Sequence, residues 1–270
     1  MKRHHLQPRT SLAAVLAVLA AALLTPGPAH AHDGHVYKGA AVPVGRGTAH
    51  AWVMVGRNHE AKALGVSISA AAMDGIEASH GEALTLPLPP QAAGTPFNHV
   101  YLNWNPHGHP PAHIWGVAHF DVHLYMTTPA EREAITDKDP GFMHKAERNP
   151  ATRFIPAGYV VEPHPVPAMG VHWADASTPE FHGKAFTHTL IYGAWDGRVT
   201  FIEPMIAKTV FDARDPVVAA IKQPDAVAVS GRYPTRYRID FDAAAAEHRI
   251  VFEELVTRDA TDVGERHAAR

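Results

Sequence analysis

Apolar and polar residues alternate with period two in several short runs, and the cleanest is HFDVHLYM, residues 119–126. Side chains along a strand point alternately to its two faces. Phe120, Val122, Leu124 and Met126 therefore share an apolar face, while His119, Asp121, His123 and Tyr125 share the other. The apolar face predicts contact with a core. The second must line either open water or a polar pocket, and that choice separates a plain surface strand from a site.

Similar alternation predicts strands in AHAWVMVG (49–56), KALGVSIS (62–69), ALTLPL (83–88), FNHVYLNW (97–104), RYRIDF (236–241) and HRIVFEELV (248–256). A short helical piece is predicted near AAAMDGIE (70–77), and TPAEREAI (128–135) carries Thr128 as a helix cap with Pro129 in the first turn. NPHGHPPAH (105–113) reads as a loop. Residues 137–170 hold six prolines and little periodicity, which predicts a long loop wrapped over the body. The fold class is mainly β: an antiparallel β-sandwich or barrel with short helices and this long proline-rich loop.

FTHTLIYGAWDGRVTFIEPMI (186–206) is the clearest hairpin, with Asp196 and Gly197 as a two-residue turn. An unbroken ladder from that turn sets Leu190 opposite Glu203, His188 opposite Met205 and Tyr192 opposite Phe201. His188 and Glu203 become diagonal neighbours about 7–8 Å apart, close enough to reach a common point. Glu203 then lies among apolar residues, and a buried carboxylate needs a partner.

The start of the chain changes the picture of where the fold begins. Lys2, Arg3 and Arg9 precede an apolar run from Leu12 to Leu24 and then TPGPAHA, the pattern of a secretory leader ending after Ala31. The run falls short of the roughly 20 residues that cross a bilayer. The expectation is residues 1–31 as signal peptide and 32–270 as a single β-rich domain, exported to the periplasm or the extracellular space, with no membrane span after cleavage. Without cysteine no disulfide can hold the fold, so stability rests on a core, a subunit interface in a homo-oligomer, or a bound ion.

Loss of the leader leaves 21 basic against 27 acidic residues, a formal charge of −6, which argues against nucleic acid as a partner. Histidine is abundant at 21 residues, so charge varies strongly over the range where imidazole titrates. There is no phosphate loop, dinucleotide fingerprint, HExxH or GxSxG.

These residues point to a divalent transition metal. The candidate ligands are His119, Asp121, His123, His172, His188 and Glu203. Positions i and i+2 on a strand lie about 6.6 Å apart and can share an ion, whereas His119 and His123, about 13 Å apart, cannot. Asp121 with one histidine at the ion and the other hydrogen-bonded nearby is the expected division. His107, His109 and His113 in the preceding loop, and His172 in GVHWAD, could cover the site. With nitrogen and oxygen donors and no thiolate, Zn, Mn, Fe, Ni and Cu all suit the set. A separate copper site is conceivable at the new amino terminus through His32, with His35 nearby.

HVYLNWNPHGHPP, HFDVHLYM, FIPAGYV, MGVHW, FTHTLIYG and FIEPMI, in this order, resemble a family of exported bacterial proteins known only as a domain of unknown function. The resemblance spans most of residues 42–256 and implies shared polar positions at His109, His119, Asp121, His123, His172, His188 and Glu203. The chain is also similar in architecture to cupins, although His-x-Asp-x-His stands where cupins carry His-x-His. Three readings follow: an exported protein that binds a metal, a metalloenzyme (cupin-like oxygenase, isomerase or hydrolase) with a small-molecule ligand at the same site, and a structural or assembly protein whose polar row is a buried hydrogen-bond network.

Overall fold

A computed structural model describes residues 34–74, 76 and 81–261. The leader at 1–31 and the copper site at His32 lie outside the described residues. His35 lies within them, on the first strand, its ring 4.6 Å from that of Tyr37.

The alternating runs become two seven-stranded sheets in which every strand pairing is antiparallel. The first holds β1 (Gly34–Lys38), β2 (Val42–Val44), β3 (Gly47–Gly56), β4 (Ala61–Ser69), β12 (Val217–Ala220), β14 (Arg236–Asp242) and β15 (Glu247–Glu253). Its order is β1-β3-β4-β15-β14-β12, with β2 also on β3. The second holds β5 (Glu82–Pro87), β6 (His99–Asn105), β7 (His119–Tyr125), β8 (Tyr159–Val161), β9 (Val171–Asp175), β10 (His188–Trp195) and β11 (Arg198–Ala207), in the order β5-β6-β7-β11-β10-β9-β8. β13 (Gly231–Tyr233) and β16 (Val256–Arg258) form a separate pair.

The apolar faces of the two sheets meet. Val100, Leu102 and Trp104 of β6 and Phe120, Val122 and Leu124 of β7 join Val53, Leu64, Val66, Ile250 and Phe252 of the first sheet in one buried cluster. Burying each such side chain contributes about 1.5–3 kcal/mol, enough in sum to hold a chain without disulfides. Of the two predicted architectures the chain adopts the sandwich; the described strands do not close into a barrel.

The outer face of the second sheet is not left to water. All seven residues of β7 are buried, so the strand is covered on both faces. On the outside, Trp115 from the loop after β6 and Phe186 from the segment before β10 pack with Ile191 and Met205. Thr128 caps the helix Pro129–Glu133 in a complete capping box, and that helix carries Arg132, whose guanidinium lies 3.8 Å from the centre of the Tyr101 ring. The Tyr125 hydroxyl donates to the Ala168 carbonyl at 2.9 Å. The proline-rich stretch thus wraps the body as predicted, though it also forms the helix Phe142–Ala146, a turn of 3₁₀ helix at Thr152–Phe154 and the edge strand β8.

The β10–β11 hairpin departs from its predicted register. Asp196 and Gly197 form the turn with positive φ at both residues, and Trp195 pairs with Arg198 and Ala194 with Val199, as an unbroken ladder requires. A bulge follows. Gly193 pairs with Phe201, and beyond it Ile191, not Leu190, faces Glu203, while His188 faces Ile206. This one-residue slip turns His188 to the opposite face from Glu203. A Cβ at Gly193 would lie 2.0 Å from the Phe201 ring, so the ring occupies the space a side chain would fill, and the glycine and the bulge belong together.

Gly193→Ala is therefore expected to lower stability by about 1–3 kcal/mol, the usual range for overpacking a full core. A chemical-denaturation midpoint unchanged from wild type would refute the close packing of Phe201 on Gly193, and Phe201→Leu in the same chain should recover part of the loss.

Candidate metal centre

The outer row of β7 divides between two groups. In the first, His119 Nε2 lies 3.1 Å from Asp121 Oδ1, and His109 Nε2, from the loop before β7, lies 3.6 Å from Asp121 Oδ2. Asn105 Nδ2 of β6 donates to the same Oδ2 at 2.7 Å. In the second, His123 Nε2 lies 3.4 Å from Glu203 Oε1 and His172 Nε2 lies 3.8 Å from Glu203 Oε2. Within each group one donor atom per residue falls inside 4.8 Å of the others.

Register explains how distant residues meet. Ile202 pairs with Leu124 and Met205 with Asp121, which sets Glu203 of β11 opposite His123 of β7. His172 of β9 pairs with Gly193, and Glu203 pairs with Ile191, so β10 lies between them. The space beside Gly193 is taken by the Phe201 ring, whose centre lies 5.6 Å from that of the His172 ring. In the first group the loop is fixed by Gly108, at φ +67°, where a Cβ would lie 2.0 Å from the Trp115 carbonyl. His109 N–H donates to that same carbonyl at 3.2 Å.

The imidazoles are oriented from behind. His119 Nδ1 donates to the Val117 carbonyl at 2.7 Å, His123 Nδ1 to Tyr101 at 3.0 Å and His109 Nδ1 to Pro110 at 2.9 Å. A carbonyl only accepts, so Nδ1 carries the proton in each ring and Nε2 of the neutral ring presents a lone pair. That lone pair faces carboxylate oxygens. His119 Nε2, His123 Nε2, Asp121 Oδ1 and Glu203 Oε2 are all buried without a hydrogen-bond partner. Opposed acceptors in a dry pocket repel unless a proton or a cation stands between them.

The titration of these groups shows where protons can serve. Burial pulls the His123 pKa down to about 4 and that of His172 down to about 3, so both rings are neutral at pH 7. Burial, reinforced by the charges of Asp121 and Glu162, holds the Glu203 carboxyl well above its usual range. Burial also pushes Asp121 upward, but the pull of the His109 and His119 imidazoles outweighs it and keeps that carboxyl far below its usual value. His109 is lowered by burial and raised further by Asp121, so its net shift is upward. Both shifts favour a proton at these two residues, His109 in the first group and Glu203 in the second.

Five of the six predicted ligands fall in these groups: His119 and Asp121 in one, His123, His172 and Glu203 in the other. His119 is the histidine that shares an ion seat with Asp121. His123 turns to a different carboxylate instead of buttressing the first. His188 is a correction: the bulge sends it to the inner face, where its Nδ1 meets the Tyr237 hydroxyl at 2.6 Å. Of the loop histidines only His109 reaches the pocket; His107 and His113 are exposed.

Two residues escaped the sequence reading. Glu162, just past β8, has Oε1 buried without a partner, and burial pushes its pKa up to about 7, with His109 opposing and Asp121 reinforcing. Nothing in the aperiodic, proline-rich stretch marked it. His99 of β6 is buried on the same face, stacked on Tyr125 at 5.0 Å. Alternation in FNHVYLNW does place it on the polar face, and the missing signal was that this face is covered. The side chains of His109 and His172 keep 33 % and 13 % exposure, so the pocket is reached from their side.

Comparison with family models, with curated proteins and with solved structures gave no match, so the reading of this pocket rests on its own geometry.

Proposed function

We propose that this chain is an exported metal-binding protein that seats divalent transition-metal ions in the two His/His/carboxylate groups on the outer face of its second sheet. One observation carries the reading: imidazole nitrogens, fixed by hydrogen bonds at their far nitrogens, face buried carboxylate oxygens at 3.1 Å in the first group and 3.4 Å in the second. Backbone carbonyls that orient ligand histidines are the usual support of a metal centre. A self-contained hydrogen-bond network would instead satisfy those atoms. The donor set suits Zn, Mn, Fe, Ni or Cu alike. Export rests on the leader-like residues 1–31.

A catalytic role is the second reading, and one feature favours it. Each group supplies three protein ligands, which leaves a coordination position for water or a substrate, and a metal there would act as a Lewis acid. The resemblance to a family of exported proteins of unknown function is compatible with either role.

Elemental analysis of the untagged mature protein, loaded and then exchanged into metal-free buffer, is expected to give up to two equivalents. His119→Ala should remove one and His123→Ala the other; substoichiometric metal in the wild type sinks the proposal. Gly108→Ala offers a subtler check, because it disturbs the loop that carries His109 without touching the second group. It should weaken one equivalent only.

Glu203→Gln separates ligand from structural support by sign. A carboxyl whose folded pKa is raised contributes stability that is present below its unfolded value of 4.5 and lost as pH rises. Glutamine mimics the protonated acid, so the metal-free variant is expected to melt higher than wild type at pH 8 and alike near pH 4.5. Its metal affinity should meanwhile fall by at least about tenfold. Lower thermal stability together with unchanged metal content would make Glu203 a packing residue.

A further inference from the structure

His188, displaced from the metal groups, lines a second and separate cavity of about 230 Å³. The cavity lies at the ends of β9, β10 and β14, beside the connection that leads from β9 to β10. Its rim is exposed, at Ala185, Thr187, Ala220 and Lys222, while its floor of Glu180, Thr189 and Tyr237 is buried. A water molecule occupies about 30 Å³ of liquid, so the space admits a molecule of several heavy atoms.

The floor is polar and out of balance. Glu180 is only 6 % exposed, and its Oε1 is buried with no hydrogen-bond partner. The nearest lysine in the lining, Lys222, is committed elsewhere: its Nζ lies 2.6 Å from Asp175 Oδ2 and donates to Ser177 Oγ at 3.0 Å. His188 does not supply the missing positive charge either. Burial lowers its pKa although Glu180 raises it, and its Nδ1 shares a hydrogen bond with the Tyr237 hydroxyl.

Two tyrosines complete the lining, and both have their hydroxyls engaged. Tyr159 donates to the Leu190 carbonyl at 3.0 Å, and the Tyr237 hydroxyl is hydrogen-bonded to His188 Nδ1 at 2.6 Å. What they offer an occupant is ring surface. An unpaired buried carboxylate beside aromatic rings is the combination that holds an ammonium group, through charge and cation–π attraction together.

We propose that this cavity binds a small organic ammonium ion, with the positive nitrogen against Glu180, the Tyr159 and Tyr237 rings beside it, and His188 Nε2 left to meet a polar substituent. The inference does not depend on the metal reading, because the lining shares no residue with either metal group.

Titration calorimetry and thermal melting with ethanolamine and tetramethylammonium, against the neutral analogues ethylene glycol and tert-butanol, test it on the mature protein with and without metal. The ammonium probes are expected to bind and to raise the melting temperature, and the neutral analogues are not. Glu180→Gln, which keeps the shape, should weaken ethanolamine by about tenfold or more. Equal response to charged and neutral probes, or wild-type affinity in Glu180→Gln, would overturn the proposal. Should that variant fail to fold, NMR of the wild type decides: ethanolamine must shift the His188 ring and Thr189 resonances, and shifts confined to other regions count against the site.

Discussion

Water is excluded from both faces of β7, and most of what distinguishes this molecule follows from that constraint. A strand with one apolar and one polar face ordinarily rests the first on a core and gives the second to solvent. Here the sandwich core takes Phe120, Val122 and Leu124, and a second covering layer built around Trp115, Phe186 and Arg132 closes over His119, Asp121 and His123. Polar groups in such a place must find partners. Backbone carbonyls satisfy the far side of each imidazole, and the near side is left for a cation or a proton.

The covering layer also explains the electrostatics. Carboxylates and imidazoles at the same depth in the same dry pocket move in opposite directions. Glu203 climbs because it is buried near other carboxylates, Asp121 falls because the His109 and His119 imidazoles favour its charged form, and His123 and His172 lose basicity through burial. A single environment thus holds one carboxyl toward its charged form and pushes the other toward its protonated form. Cation binding at the second group is consequently favoured by rising pH.

How much of this was legible in the chain depended on which physical signal each part carries. The long central strands could be read because alternation over seven or more residues reflects burial of one face, as in β3, β6, β7 and β15. Short edge strands such as β2, β8 and β13 span three residues and show no periodicity to read. Glu203 stood out because a carboxylate among Phe201 and Met205 violates the apolar pattern, and that conflict survives any register. His188 did not survive, because its placement depended on counting from the turn, and a bulge is a packing event between Gly193 and Phe201 that the alternation does not display. The separation of His119 from His123 into different groups was foreshadowed by strand rise alone, whereas Glu162 needed the tertiary fold.

The two metal groups differ in how far along the chain their members lie. His109, His119 and Asp121 come from one continuous stretch, but His123, His172 and Glu203 are drawn from β7, β9 and β11. Closing a short loop is entropically cheaper and faster than closing a long one. The first group can therefore come together while the remainder of the chain is still unstructured, and the second exists only once non-local strand pairing is complete. An ion captured early would act as a local clip, whereas an ion in the second group acts as a lock on finished topology.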